Sequence, residues 1–349
     1  MNKLLESINL QPDMIKNNFN DYVTQANRVA NKIKADFNGD IPYIIFTGMG
    51  ASYFAAQVPF NYIITNGHAS ALYETSELTY YQVENIPKGS LMVMISQSGE
   101  SVELINLAYK LSRDIKILSI TNNEDSTLGI KSDYIIKLNV TTDGGIAIST
   151  YISSILSSLI LSQKLLKSAL EIDEGMILEI VNSMKEWIDE REEKMKPIID
   201  FLGQDNLDFI AVARGPSLSS ADETALLFKE VSKMPCINIS GGQLRHGSVE
   251  MVNNNTCVIN FAPKGRTQSL NFALTRELLQ YGAKVILISD GSFGVHHPNL
   301  MEITLGDKDE FIAPIYDILP CQFITYYLAE KNGIKPGIFI NTAPVIRSE

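Results

Sequence analysis

The chain has 349 residues, too many for one ordinary core, and 45% of them are apolar, enough to build folded domains. Its net charge of −11 and lack of a long basic run argue against binding nucleic acid or anionic membrane surfaces. Cys236, Cys257 and Cys321 are an odd, scattered set without a CxxC pair, as expected of reduced core thiols. The N-terminus is too short and polar to read as a signal peptide, and no run of about 18 apolar residues suggests a membrane span. A cytoplasmic location is therefore expected.

Residues 13–36 place Phe19, Tyr22, Val23, Ala26, Val29, Ala30 and Ile33 at helical spacing, predicting an amphipathic leading helix. A buried strand at 43–46 follows, then the turn Gly48-Met49-Gly50-Ala51-Ser52 and a helix to about Thr65. Further strands are predicted at 69–73, 91–95, 115–120 and 134–138, with a helix from the third to Ser112. Strands alternating with helices imply a parallel sheet covered on both faces. A long apolar helix is expected over 150–169, then a charge-rich helical connector over 171–200.

The polar cluster Ser96-Gln97-Ser98-Gly99-Glu100-Ser101 falls between the apolar run 91–95 and the helical pattern that follows. A strand-to-helix turn offers free N–H groups and a helix dipole, so it is a ready anion site. Ser96, Ser98 and Ser101 can each donate a hydroxyl to one phosphate. The plainer reading is a turn with a serine N-cap.

The second half repeats the first. Strands are expected at 209–213, 257–261 and 285–288, with helices to Met234 and Gln280. Gly50 and Ser52 recur 165 residues later as Gly215 and Ser217, and Gly99 and Ser101 recur 166 later as Gly265 and Thr267. Near-equal offsets indicate duplication of a whole α/β domain. Only the first copy carries the serine cluster.

Within the helix ending at Met234, Glu230 stands four residues after Leu226 and three after Leu227, beside an apolar stripe. A desolvated carboxyl there would have a raised pKa suited to moving protons. The same spacing also fits a surface glutamate near Lys233 or Lys229. The following stretch, Ile239 to Gly247, reads as a glycine-rich loop carrying His246, alternatively a plain exposed histidine. His296-His297 precede Pro298 without further ligands at metal spacing, and read as surface.

Taken together, Gly-Met-Gly-Ala-Ser (48–52), Ser-Gln-Ser-Gly-Glu-Ser (96–101), Phe-Lys-Glu (228–230) and Gln-Leu-Arg-His-Gly (243–247) resemble the SIS, or sugar isomerase, proteins. The chain is similar to the isomerase half of glucosamine-6-phosphate synthase and, among stand-alone members, to the fructosamine-6-phosphate deglycases. The resemblance covers nearly the whole sequence, and no glutaminase domain is expected ahead of it. It implies two tandem SIS domains, each a doubly wound, flavodoxin-like parallel sheet with helices on both faces. The first would occupy 1–170 and the second 201–349. It further implies that Ser96, Gln97, Ser98 and Ser101 hold a 6-phosphate, and that Gly50, Ala51, Ser52 and Ser149 line the sugar. Glu230 would move a proton between C1 and C2, and His246 would help open the ring, reaching a neighbouring subunit's site in a homodimer. No metal or redox cofactor is implied. Three positions depart from the synthase pattern. Leu227 stands where a lysine is expected, Gln243 replaces an acidic residue, and Pro344 falls where the imine-forming lysine of the tail would be. Without that lysine, a substrate bearing its own amine is favoured, which points to deglycase or deaminase chemistry. A plain isomerase and a non-catalytic sugar-phosphate sensor remain open.

Overall fold

The computed structural model describes residues 2–141, 143–166, 170–203, 207–341 and 346. The chain divides into two compact units, one formed by Leu10–Val181 with Phe339–Glu349 and the other by Met1–Asn9 with Asn182–Ile338.

In the first unit, β1 (Ile44–Gly48), β2 (Ser70–Glu74), β3 (Leu91–Ile95), β4 (Lys116–Thr121) and β5 (Tyr134–Lys137) form one sheet in the order β2-β1-β3-β4-β5. Every pairing is parallel. The helices of this half of the chain are α1 (Lys3–Asp36), α2 (Ala51–Thr65), α3 (Thr75–Glu77), α4 (Val102–Lys110), α5 (Thr127–Lys131) and α6 (Ser149–Leu166). Ile45, Met92, Met94 and Ile117 point to one face of the sheet, against Leu104 and Leu107 of α4 and Leu128 of α5. On the other face α2 packs on β1 and β2, and α6 packs on α2. Covering both faces explains why β1 and β3 are buried at every residue.

The leading helix is longer than expected. It begins at Lys3 rather than residue 13 and holds Pro12 in its interior. Leu4, Ile8 and Ile15 continue its buried stripe through the proline. Gln25 of this helix bonds the backbone of Lys137 in both directions, at 3.0 and 2.8 Å, and so satisfies part of the open edge of β5.

The charge-rich connector forms α7 (Glu174–Asp189) and α8 (Arg191–Leu202). In the second unit, β6 (Asp208–Ala213), β7 (Cys236–Ser240), β8 (Thr256–Ala262), β9 (Lys284–Ser289) and β10 (Leu300–Thr304) are again all parallel, in the order β10-β9-β8-β6-β7. Counted from β6, this is the 2-1-3-4-5 order of the first sheet. The helices are α9 (Leu218–Leu227), α10 (Gly241–Arg245), α11 (Gln268–Gln280) and α12 (Leu319–Lys331). Strands β7 and β10 are absent from the sequence reading. Both are edge strands, and Ile237 and Asn238 of β7 are exposed, so neither shows the apolar run of a strand buried on two faces. All three cysteines are free and buried.

Candidate functional site

The polar turn follows β3 as expected, and its hydroxyls brace the loop itself. Ser96 is 4% exposed, and its Oγ accepts the Gly99 N–H at 3.1 Å. The Ser98 Oγ accepts the Glu100 N–H at 3.1 Å. Val102, the first residue of α4, donates its N–H to the Ile346 carbonyl at 3.2 Å. The expectation of open N–H groups is thus corrected at Gly99, Glu100 and Val102. A hydroxyl that accepts an N–H still keeps a proton to donate. Ser101 stands at the N-cap of α4, yet its side chain makes no capping bond, so the plain cap reading fails where it should apply most directly. The carboxylate of Glu100 is engaged elsewhere, by the N–H and hydroxyl of Thr127 at 2.8 and 3.0 Å. The Gln97 carbonyl accepts from Asn122 N–H at 3.0 Å, which pins the loop to the end of β4.

The turn Gly48–Ser52 leaves the neighbouring strand at the same sheet edge, since Thr47 of β1 pairs in register with Met94 of β3. This is where the strand order reverses, the crevice in which open α/β sheets bind ligands. Gly50 adopts φ 50°, a left-handed conformation suited to glycine, and α2 starts at the next residue. Gly48 is needed for closeness: a Cβ there would lie 2.9 Å from the backbone of Ser52. Gly50, Ala51 and Ser52 therefore share one crevice edge with Ser96–Ser101.

Ser149 is the first residue of α6 and is 1% exposed. Its helix is capped by a residue the sequence reading passed over. Asp143 Oδ2 accepts the N–H groups of Ile148 and Thr150 at 3.1 and 2.7 Å. Burial pushes the Asp143 carboxyl up, and those N–H bonds pull it partly back.

Glu230 and His246 belong to the second unit. Here the helix expected to reach Met234 stops being α-helical at Leu227 and continues as one π turn over Phe228–Ser232. The four-residue helical spacing drawn from Leu226 to Glu230 therefore does not hold through this turn, which carries one extra residue. Such π turns recur at functional sites. Lys233 closes it at φ 56°, with its ammonium donating to the Glu230 carbonyl at 2.6 Å. Burial raises the Glu230 carboxyl to about 7, with Lys233 opposing weakly. A half-buried acid poised near neutrality can both take and return a proton.

The stretch read as a loop before His246 is in fact the end of β7 followed by the single turn of α10. Ser240 caps α10 by accepting the Gln243 N–H at 3.3 Å. A Cβ on Gly241 would lie 2.9 Å from the Arg214 Nε, so a side chain there would have to push the Arg214 guanidinium aside. His246 ends the turn and is exposed, as is Gln243. Leu227 is fully buried, and Pro344 lies outside the described residues. His296 and His297 are exposed, and no cluster of metal-ligating residues occurs among the described residues. No helix among the described residues is long and apolar enough to cross a membrane.

The SIS domain model matches residues 40–166 and 204–329. A glutamine–fructose-6-phosphate aminotransferase (isomerizing) from Pyrococcus horikoshii is 29% identical over 99% of this chain and 58% of its own length. The chain thus spans little more than half of that relative. Among solved structures, glucosamine-6-phosphate deaminase from Thermotoga maritima has a TM-score of 0.74 at 18% identity, covering 99% of each chain. Tagatose-6-phosphate ketose/aldose isomerase from Escherichia coli has a TM-score of 0.78 at 20% identity, covering 98% of this chain and 94% of its own. At these identities the two structures speak to the fold alone. With two copies of one domain model covering both sheets, the chain belongs to the SIS domain family.

Proposed function

We propose that the protein is a phosphosugar-processing enzyme that removes the amine from a 6-phosphorylated ketosamine or amino sugar. The observation that carries the reading is the serine turn at the strand-order reversal, where Ser101 holds the N-cap without capping. In this reading the hydroxyls of Ser96, Ser98 and Ser101, with Gln97, bind the 6-phosphate. Gly50, Ala51, Ser52 and Ser149 line the sugar, and His246 assists ring opening. Glu230 then removes a proton from C1 of the open ketosamine and returns one to C2. The C2 carbonyl becomes a hydroxyl, C1 becomes doubly bonded to the substrate's own nitrogen, and water releases the amine to leave a hexose phosphate. Glu230 suits this because its carboxyl sits at about 7 and can serve as base, then acid. The active species in this proposal is a homodimer in which His246 completes the partner subunit's site.

Two incubations test the reading. A 6-phosphofructosamine should release free amine, while fructose 6-phosphate with ammonia should give little product. Ser98→Ala with Ser101→Ala should weaken hexose 6-phosphate binding at least tenfold, since each bond to a charged group is worth about 1.5–3 kcal/mol and tenfold needs ~1.4. Rapid interconversion of fructose 6-phosphate with its aldose, with amine adducts inert, replaces the reading with a plain isomerase. Binding without turnover of either pair makes the chain a sensor.

A further inference from the structure

The second unit repeats the first unit's sheet and its turns, yet it fills those turns with its own carboxylates. After β8, the Lys264 N–H donates to Asp290 Oδ2 at 2.9 Å, and the Arg266 N–H donates to Glu310 Oε2 at 3.1 Å. The Arg266 guanidinium also pairs with Glu310, Nε to Oε1 at 3.5 Å. Gln268, the first residue of α11, donates its side-chain amide to Asp290 at 2.5 Å. Glu310 lies against the loop so closely that a Cβ on Gly265 would stand 2.4 Å from its Oε2. Its side chain is only 15% exposed. After β6 a buried acidic side chain also reaches the turn, but it takes hydroxyls and not N–H groups: Ser217 and Ser220 donate to Asp317 at 3.3 and 2.5 Å. In the first unit the corresponding loop offers serine hydroxyls. The segment between β5 and α6 there reads Asp143-Gly144-Gly145, with two glycines, whereas the segment between β10 and α12 carries Asp309-Glu310.

We infer that Glu310 is a specificity-determining residue, a built-in carboxylate that occupies the loop after β8 and excludes phosphorylated ligands from the second of two duplicated crevices. A phosphate approaching Arg266 and Lys264 would have to displace carboxylates already bonded to the N–H groups it needs. It would also meet the like charge of Asp290, which bonds both Lys264 and Gln268 in this loop. The inference rests on the phosphate reading of the first loop only for its contrast; occupancy of the second loop stands by itself.

The experiment uses the full chain and inorganic phosphate as probe, followed by amide chemical shifts. In the wild type, the amides of Gly265–Gln268 should stay in place while those of Gly99–Ser101 move. In Glu310→Ala, placed on the Ser98→Ala/Ser101→Ala background, the Gly265–Gln268 amides should move saturably with millimolar phosphate. Glu310→Ser is the second variant should Glu310→Ala not fold. Phosphate-dependent shifts at Gly265–Gln268 in the wild type would overturn the inference. So would their absence in a folded Glu310 variant. If instead Gly99–Ser101 fail to respond in the wild type, the phosphate reading of the first loop falls, and the Glu310 comparison still decides this one.

Discussion

Gly99 and Ser126 exclude one another's bulk: a Cβ on Gly99 would lie 1.9 Å from the Ser126 Oγ and 2.5 Å from its Cβ. Ser126 is held there because its Oγ accepts the Gly129 N–H at 3.1 Å as the cap of α5 and donates to the Asn123 carbonyl at 2.6 Å. Gly99 in turn adopts φ 67° and accepts the Leu128 N–H on its carbonyl at 3.1 Å. The serine turn therefore takes its shape from the loop after β4 as much as from its own residues.

This contact predicts a coupled pair. Gly99→Ala should destabilise the chain by more than the ~1–2 kcal/mol of a left-handed non-glycine residue, because the clash adds to it. Ser126→Gly removes the obstructing side chain and should itself cost about 1 kcal/mol or less, as the loss of a cap. The double variant should then be less destabilised than the two singles added, in denaturant titrations. Strict additivity would show that the loop yields without using Ser126.

The titration of Glu230 predicts a pH profile. With its carboxyl at about 7, the base form grows as pH rises through neutrality, so kcat/KM should climb from pH 6 to 8 and level above. Glu230→Gln should lower turnover by ~10²–10⁴, the usual contribution of a general base, and abolish that limb. Ligand affinity should change little, because the amide keeps the size of the acid. A limb that survives in Glu230→Gln assigns the titration to another group.

Asp317 predicts the sign of a stability change. Burial raises its carboxyl to about 8, with Ser220 and Ser217 pulling it down. Between about pH 4 and 8 the folded chain holds this proton while the unfolded chain, at the ordinary ~3.9, has lost it. Folding therefore binds protons, and stability from this group is full below pH 4 and lost as pH rises through 8. Asp317→Asn cannot ionise, so its melting temperature relative to the wild type should rise steadily from pH 5 to pH 8. A constant difference across that range would contradict the assignment.

Assembly is tested by mixing. If His246 completes a partner's site, Glu230→Gln and His246→Asn chains are each impaired on a cyclic substrate. A heterodimer regains one intact site, so random exchange should restore about a quarter of wild-type activity. No gain on mixing, or full activity in a monomer by sedimentation, removes the shared-site proposal.

The sequence by itself determined the repeated α/β plan, because strands buried on both faces must be apolar throughout. That signal located β1, β3, β4, β6, β8 and β9, and the glycines of the turns marked the duplication. It placed Ser96–Ser101 in a strand-to-helix turn for the same reason. It could not see β7 and β10, whose exposed edges interrupt the apolar run. The π turn at Phe228–Ser232 was equally hidden, because one inserted residue leaves the composition of an apolar stripe unchanged. Only the tertiary structure decided which hydroxyls brace the loop and which does not cap. It also decided that Glu230 is desolvated, and that carboxylates 26 and 44 residues away bond the loop after β8. Each of these depends on partners distant in the chain, and a residue's spacing reports only its neighbours on the same element.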